Sequence, residues 1–255
     1  MSLDLFDLSN RRVLVTGSSQ GIGYALAAGL AKAGAIPILN GRSAERLGEA
    51  AETLKQADIH CEQAAFDVTD REAVSDGIAQ IESDIGAIDI LINNAGMQDR
   101  APLEEFGDDN WDRLMDLNLN SVFIVSRNVA KGMIARRAGK IINICSIQTL
   151  LARPSIAPYT ASKGAVANLT KGMATDWAQY NIQSNGLAPG YFSTELTKAL
   201  VEDEEFSAWL CKRTPAGRWG KVEELTGAAI FLASQASSYV NGHILYVDGG
   251  MSACV

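Results

Sequence analysis

The fold is decided by Arg12-Val13-Leu14-Val15-Thr16-Gly17-Ser18-Ser19-Gln20-Gly21-Ile22-Gly23-Tyr24-Ala25-Leu26. An apolar strand, a glycine-rich turn and a helix start follow one another, as in the first βα unit of a dinucleotide-binding domain. Gly17 permits the tight turn, Gly21 lets backbone approach a pyrophosphate, and Gly23 allows the helix to pack closely on the sheet. The helix N-terminus then faces the phosphates. The glycines alone are also compatible with a turn that binds nothing.

Short apolar runs alternate with helical patterns along the 255 residues. This order predicts an α/β fold, a single doubly wound Rossmann-type domain over 1–255 with a seven-stranded parallel sheet and helices on both faces. The predicted strands are 13–15, 36–39, 62–66, 88–92, 140–144, 182–187 and 244–247. The predicted helices are 21–34, 43–56, 70–85, 109–137, 158–180 and 222–234.

The remaining motifs follow the predicted strands at their carboxyl ends. Asn93-Asn94-Ala95-Gly96 follows the fourth strand, Ser146 the fifth, and Pro189-Gly190 the sixth. Ligands of open α/β sheets bind beyond these ends, near the point where the strand order reverses. Residues 194–224 are richer in charged and aromatic side chains, and we expect them to form a small helical lid over this edge.

Tyr159 and Lys163 lie four residues apart, thirteen residues after Ser146. On a helix this spacing places the phenol and the ammonium on one face. A neighbouring cation favours the phenolate, so Tyr159 would become a usable acid or base near neutral pH. By itself the pattern also fits any amphipathic helix.

Composition excludes several classes of function. The net charge of -8 and the pI near 4.9 argue against nucleic acid and anionic membranes as partners, since both need a basic face. The four cysteines form no Cys-x-x-Cys pair and there are two histidines, so we predict no metal site. The N-terminal residues lack a signal-peptide pattern and no apolar run reaches ~18 residues, which predicts a cytoplasmic protein with reduced cysteines.

Five motifs occur together in one order: Thr16-Gly17-x-x-x-Gly21-Ile22-Gly23, Asn93-Asn94-Ala95-Gly96, Ser146, Tyr159-x-x-x-Lys163 and Pro189-Gly190. In this combination the chain resembles the short-chain dehydrogenase/reductase family over nearly its whole length. The resemblance implies a nicotinamide-dependent oxidoreductase, usually a homotetramer.

The same resemblance implies the catalytic residues. Tyr159 would be the general acid/base, and Lys163 would lower the pKa of the phenol and bind the nicotinamide ribose. Ser146 would donate a hydrogen bond to the reacting oxygen, and Asn118 would support a water-linked proton path to Lys163.

The cofactor is predicted from the end of the second strand. NAD-binding domains usually carry an acidic residue there, whereas this chain has Arg42, whose guanidinium would hold a 2′-phosphate. We therefore predict NADP, although a solvated Arg42 is the alternative. Asp67 would contact the adenine or cap a helix. The predicted cofactor-binding residues are Gly17, Ser19, Gln20, Gly21, Ile22, Gly23, Arg42, Asp67, Val68, Asn94, Ala95, Gly96, Tyr159, Lys163, Pro189, Gly190 and Thr194.

Within the family, 143–146, 157–161, 186–192 and 208–216 resemble a subgroup that interconverts D-gluconate and 5-dehydro-D-gluconate. We expect Arg100 and Arg153 to bind the carboxylate of such a sugar acid and Gln148 a hydroxyl, with Ser146 and Tyr159 at the reacting oxygen. The alternatives are a 3-oxoacyl-carrier-protein reductase, another sugar-acid reductase of the family, or an NADP-sensing regulator without catalysis. Asp99 departs from this pattern, because the subgroup resemblance implies a basic residue at that position.

Overall fold

A computed structural model describes residues 3–254, apart from the side chain of Leu196. Seven parallel strands form one sheet in the order β3-β2-β1-β4-β5-β6-β7. The predicted fold class is confirmed, with strand ends within two residues of those predicted. The strands are β1 (Arg12–Val15), β2 (Ile36–Gly41), β3 (Glu62–Ala65), β4 (Ile90–Asn93), β5 (Gly139–Ile144), β6 (Ile182–Pro189) and β7 (Ile244–Val247).

Helices connect the strands, and α-helices also occur within 194–224, the segment that the sequence predicts to be a lid. They are α1 (Gly21–Lys32), α2 (Ala44–Gln56), α3 (Arg71–Asp84), α4 (Asp108–Met115), α5 (Ser121–Arg136), α6 (Ala157–Trp177), α7 (Lys198–Val201), α8 (Glu204–Arg213) and α9 (Thr226–Ala233). Over the described residues, none of these helices is long and apolar enough to cross a membrane.

The core has two parts, one on each face of the sheet. Val13 and Val15 point into the cluster shared with α1, α2 and α9, whereas Leu14 between them points into the cluster shared with α3 and α5. All three side chains are fully buried. Alternation along a strand therefore explains why β1 is apolar throughout: both of its faces are covered by helices.

The helix predicted over 109–137 is interrupted. A single wider turn, Asp116–Asn120, separates α4 from α5, and the backbone N–H of Ser121 donates to the carbonyl of Asp116 five residues earlier. Such wide turns occur mostly as single interruptions of α-helices, frequently at functional sites. Here the turn contains Asn118, which is fully buried.

The strand order reverses between β1 and β4. The connection after β1 leads to β2 on one side, while β4 pairs with the other side of β1. The chains that leave the carboxyl ends of these two strands diverge, and this opens a crevice. The glycine turn and Asn94 border the crevice, as the sequence predicts.

The last described residues are tied to the lid. The guanidinium of Arg213, at the end of α8, donates to the carbonyl of Met251 at 3.2 Å. It also donates to the carbonyl of Cys254 at 3.2 Å and contacts its sulfur at 2.9 Å. One side chain thus joins the end of α8 to Met251 and Cys254.

Lys140, at the start of β5, is a buried cation, with 7% of its surface exposed. Its ammonium donates to the hydroxyl of Ser237 at 3.1 Å. That hydroxyl donates in turn to the carbonyl of Leu232 at 3.0 Å. Burial lowers the pKa of Lys140 to about 8, because the charged form loses its hydration.

Replacing this lysine should change how stability depends on pH. Between pH 8 and about 10.4, the unfolded chain holds a proton on Lys140 that the folded protein has released, so the free energy of unfolding rises with pH. Lys140→Met should lose this contribution to the slope of unfolding free energy against pH, which corresponds to roughly one proton. Urea unfolding of both proteins across this range measures it. The exposed Lys171→Met is the matched control, and an unchanged slope in Lys140→Met would contradict the assignment.

Candidate active site

A cavity of ≈ 1490 Å³ opens at the carboxyl edge of the sheet. It extends from the glycine turn, past Asn94, to Ser146, Tyr159 and the lid. Every predicted cofactor residue except Gly23 lines it, namely Gly17, Ser19, Gln20, Gly21, Ile22, Arg42, Asp67, Val68, Asn94, Ala95, Gly96, Tyr159, Lys163, Pro189, Gly190 and Thr194. The sequence motifs therefore meet in one place, although they are spread over most of the chain.

The glycine turn has the backbone that its residues permit. Gly17 and Gly21 both have φ of +61°, in the left-handed region that favours glycine. A Cβ on Gly17 would lie 2.9 Å from the Cα of Ala95, whereas one on Gly21 would meet open space. Gly23 lies outside the cavity lining because it packs inward, where a Cβ would lie 2.6 Å from the carbonyl oxygen of Gly17.

A hydrogen-bonded clasp, formed by Thr16, Asn94 and Ala95, closes the floor of the crevice. The hydroxyl of Thr16 accepts from the backbone N–H of Asn94 at 2.9 Å and from that of Ala95 at 3.0 Å. The side-chain amide of Asn94 donates back to the carbonyls of Thr16 and Gly17, both at 2.9 Å. The clasp fixes the end of β1 against the end of β4.

Tyr159 and Lys163 lie on the cavity face of α6. The Lys163 ammonium is 5.8 Å from the centre of the Tyr159 ring. It donates to the carbonyl of Ile144, the last residue of β5, at 2.7 Å. Lys163 is buried, while Tyr159 is half-buried. The end of a strand thus holds the ammonium in the position that the four-residue spacing predicts.

The pKa values of the pair differ from the sequence-based expectation. Burial raises the pKa of Tyr159 to about 12, and a hydrogen bond with Ser146 lowers it by less. Burial also lowers the pKa of Lys163. Desolvation, which disfavours the charged form of both groups, is the largest cause of both shifts, and the lowering of the phenol pKa expected from Lys163 is not found.

Ser146 and Asn118 are held by local hydrogen bonds. Ser146 lines the cavity, and its hydroxyl accepts from the backbone N–H of Gln148 at 3.2 Å. Asn118 lies behind the lining: its amide accepts from the backbone N–H of Met97 at 2.8 Å and donates to the carbonyl of Met97 at 2.9 Å. It also donates to the hydroxyl of Ser162 at 3.1 Å, so its side chain joins α6 to the loop after β4.

The end of β2 presents two cations to the cavity. Arg42 is highly exposed and lies 3.8 Å from a carboxylate oxygen of Asp67. Arg46, in the first turn of α2, lines the same region, and its backbone N–H is capped by Ser43. Sequence reasoning missed Arg46; the available signal was its position four residues after Arg42, beside the helix start.

At the other end of the cavity two buried polar atoms have no hydrogen-bond partner among the described residues. They are Oε1 of Gln148 and Nε of Arg153, and both residues line the cavity. Arg100 is exposed and lies outside the lining. Its pKa is lowered by partial burial and by the charge of Arg153, so the two cations are near one another.

Aromatic side chains of the lid pack against this end. The guanidinium carbon of Arg153 lies 5.4 Å from the centre of the Phe206 ring, on α8. Tyr191 packs against both Phe206, at 5.8 Å, and Trp219, at 5.9 Å between ring centres. Thr194 caps the short turn at the start of the lid by accepting from the backbone N–H of Thr197. Sequence reasoning gave Tyr191 no role, and only its place after Pro189-Gly190 pointed to it.

The residue that departs from the subgroup resemblance has a partner. Asp99 accepts from the guanidinium of Arg113, on α4, at 3.1 Å. Arg113 lines the cavity. Within residues 3–254, no group of three His, Cys, Asp or Glu side chains is arranged to hold a metal ion.

The match to known families agrees with this geometry. The family described as short chain dehydrogenase matches residues 11–205, well over half of the chain. The chain belongs to this family. The predicted resemblance is thereby confirmed, and the glycine turn, Ser146, Tyr159 and Lys163 lie within the matched part.

Relatives within the short-chain dehydrogenase family are similar over their full length. The gluconate 5-dehydrogenase of Gluconobacter oxydans is 64% identical over 249 residues, covering 98% of this chain and 97% of that protein. The 2-dehydro-3-deoxy-D-gluconate 5-dehydrogenase of Formosa agariphila is 46% identical over 257 residues, covering 100% of this chain and 97% of that protein. A crystal structure of a gluconate 5-dehydrogenase from Burkholderia cenocepacia, in complex with NADP and tartrate, is 58% identical and superposes with a TM-score of 0.98 over 100% of both chains.

The clasp can be tested by removing its acceptor. Thr16→Val keeps the shape of the side chain but leaves the buried N–H groups of Asn94 and Ala95 without their partner, which should cost about 1–3 kcal/mol in the free energy of unfolding. Urea unfolding measures this loss. Thr16→Ser retains the hydroxyl and is the matched control. Equal stability of Thr16→Val and Thr16→Ser would show that the hydroxyl of Thr16 contributes nothing to the clasp.

Proposed function

We propose that this protein is an NADP-dependent oxidoreductase that interconverts D-gluconate and 5-dehydro-D-gluconate. The observation that carries the proposal is one cavity holding Tyr159, Lys163 and Ser146 together with the unpaired polar atoms of Gln148 and Arg153. Relatives at 64% and 58% identity, both gluconate 5-dehydrogenases, support the same substrate.

The residues of the cavity fit NADP. Gly17 and Gly21 leave backbone accessible at the N-terminus of α1, where a pyrophosphate would bind. Arg42 and Arg46 provide positive charge at the end of β2, where a 2′-phosphate would lie. The similar structure from Burkholderia cenocepacia contains NADP. When bound, the nicotinamide supplies or accepts the hydride and, in its oxidised form, places positive charge beside Tyr159.

The chain's own residues would move the proton. Tyr159 removes the proton from the substrate hydroxyl in oxidation and returns it in reduction. Ser146 donates a hydrogen bond to the same oxygen, where negative charge develops in the transition state. Lys163 is oriented by the carbonyl of Ile144, and its ammonium, 5.8 Å from the centre of the Tyr159 ring, would stabilise the phenolate. Asn118 keeps the loop after β4 in register with α6 and supports a proton path to Lys163.

The substrate end of the cavity suits a polyhydroxy acid. The unpaired Nε of Arg153 would donate to the carboxylate, and Arg100 beside it would add positive charge from outside the lining. Gln148 would bind a hydroxyl. An acyl chain would leave these buried polar atoms unpaired, which disfavours a 3-oxoacyl-carrier-protein reductase. The retained Ser146, Tyr159 and Lys163 argue against a sensor without catalysis.

The protein is further proposed to be a single domain over 1–255 and a cytoplasmic homotetramer. Trp111 on α4 and Phe123 on α5 are large apolar side chains that remain exposed. Apolar surface of this kind favours association with further copies of the chain. The four cysteines are free, as expected in a reducing compartment.

Turnover tests the proposed function. NADPH absorbance should fall when the protein reduces 5-dehydro-D-gluconate and rise when it oxidises D-gluconate with NADP. Tyr159→Phe should lower kcat by about 10²–10⁴-fold because general acid/base catalysis is lost. The affinity for NADPH, measured by fluorescence titration, should stay within about twofold, since the ring remains. Substantial residual turnover in Tyr159→Phe would contradict the role of the phenol. A preference of the wild type for 3-oxoacyl substrates over both sugar acids would contradict the choice of substrate.

The choice of cofactor is tested at Arg42. Arg42→Ala should weaken NADPH binding by about tenfold or more, because a charge-assisted contact to the 2′-phosphate is lost. NADH lacks that phosphate, so its dissociation constant should be unchanged. Lys32→Ala, at the far end of α1, is the control for a change in net charge. If Arg42→Ala kept the full preference for NADPH, the phosphate contact would have to be assigned elsewhere.

A further inference from the structure

Gln148 is buried, and one polar atom of its side-chain amide makes no hydrogen bond within the described residues. It is 7% exposed and lines the cavity in the turn after Ser146. Its Nε2 donates to the hydroxyl of Tyr191 at 3.4 Å, while Oε1 is buried without a hydrogen-bond partner among the described residues. A buried carbonyl oxygen without a hydrogen-bond partner destabilises the protein. Because Gln148 borders the cavity, a bound ligand could supply the missing donor to Oε1.

The position of Gln148 lies between the two ends of the proposed substrate. Its backbone N–H donates to the hydroxyl of Ser146 at 3.2 Å. Its side chain reaches Tyr191, whose ring packs on Phe206, and Phe206 in turn contacts Arg153. In the proposed function Ser146 meets the reacting oxygen and Arg153 the carboxylate. Gln148 therefore faces the carbons between the carboxylate and the reacting carbon.

We propose that Oε1 of Gln148 accepts a hydrogen bond from the substrate hydroxyl on C2 or C3, and that this contact selects sugar acids with hydroxyls at these carbons over 2-keto and 3-deoxy analogues. The inference rests on the proposed function and specifies its substrate class. It distinguishes two acids named by the relatives: D-gluconate, and 2-dehydro-3-deoxy-D-gluconate, which has a carbonyl at C2 and a methylene at C3.

The selection follows from the chemistry of the free atom. A carboxamide oxygen only accepts, so it pairs with a hydroxyl, which donates. A carbonyl or a methylene at the same place leaves Oε1 desolvated and unpaired. Sites built to bond a hydroxyl discriminate strongly against analogues that lack it, because the penalty falls on the protein's own buried group.

Tyr191 acts as the positioning residue for this acceptor. Its hydroxyl holds Nε2, and its ring is fixed by edge contact with Trp219 and by Phe206 of the lid. The amide is thereby oriented with Oε1 away from Tyr191. Since Phe206 also contacts Arg153, the lid aligns the hydroxyl acceptor and the carboxylate donor together.

The experiment compares two acids on two variants. Gln148→Met removes the acceptor at nearly the same volume. We expect kcat/KM for D-gluconate to fall about 10–100-fold because KM rises, while kcat stays within about threefold of the wild-type value. The inhibition constant of 2-dehydro-3-deoxy-D-gluconate against D-gluconate oxidation should change less than about threefold, because that acid does not use Oε1. Tyr191→Phe retains Oε1 but removes the hydroxyl that holds Nε2, so it should change the ratio between the two acids in the same direction and by less.

The outcomes separate the inference from the function on which it rests. Equal weakening of both acids in Gln148→Met, or no weakening of either, overturns the inference. An equally large change of the ratio in Tyr191→Phe assigns the contact to the phenol and also overturns it. A wild type that turns over neither D-gluconate nor 5-dehydro-D-gluconate overturns the proposed function, and the inference with it. Thermal unfolding and NADPH binding of Gln148→Met confirm that the variant is folded.

Discussion

The pairing of β1 with β4 is the constraint on which the rest of the structure depends. The two strands are neighbours in the sheet although they are far apart in the chain, and the hydroxyl of Thr16 secures their ends to one another. This contact sets the floor of the crevice. The glycine turn lies on one side of it, and α6, with Tyr159 and Lys163, lies on the other. A shift of one strand would separate the place where the cofactor fits from the place where the proton is exchanged.

Desolvation is the second determinant of the site. Burial raises the pKa of the Tyr159 phenol to about 12 and lowers the pKa of the Lys163 ammonium. The phenol is therefore protonated at neutral pH. Positive charge placed beside Tyr159 would reduce the penalty for ionising it. In the proposed function the oxidised nicotinamide would add that charge, so proton transfer would depend on occupancy of the cavity.

The sequence was most informative where a function depends on neighbours along the chain. The left-handed glycines and the spacing of Tyr159 and Lys163 are local properties, so the fold and the placement of these two side chains in one cavity were predictable. The roles of Arg46 and Tyr191 depend on distant segments folding back, and their own sequence context contains little signal for this. The interruption of the helix at 116–120 was not predicted, because apolar periodicity continues through a single wide turn.

The guanidinium of Arg213 links the C-terminal end of α8 to Met251 and Cys254. Any displacement of α8 would have to break these hydrogen bonds or carry Met251 and Cys254 with it. Arg213 itself does not line the cavity. Shortening this one side chain would therefore free α8 from these two residues without changing any group that faces a ligand.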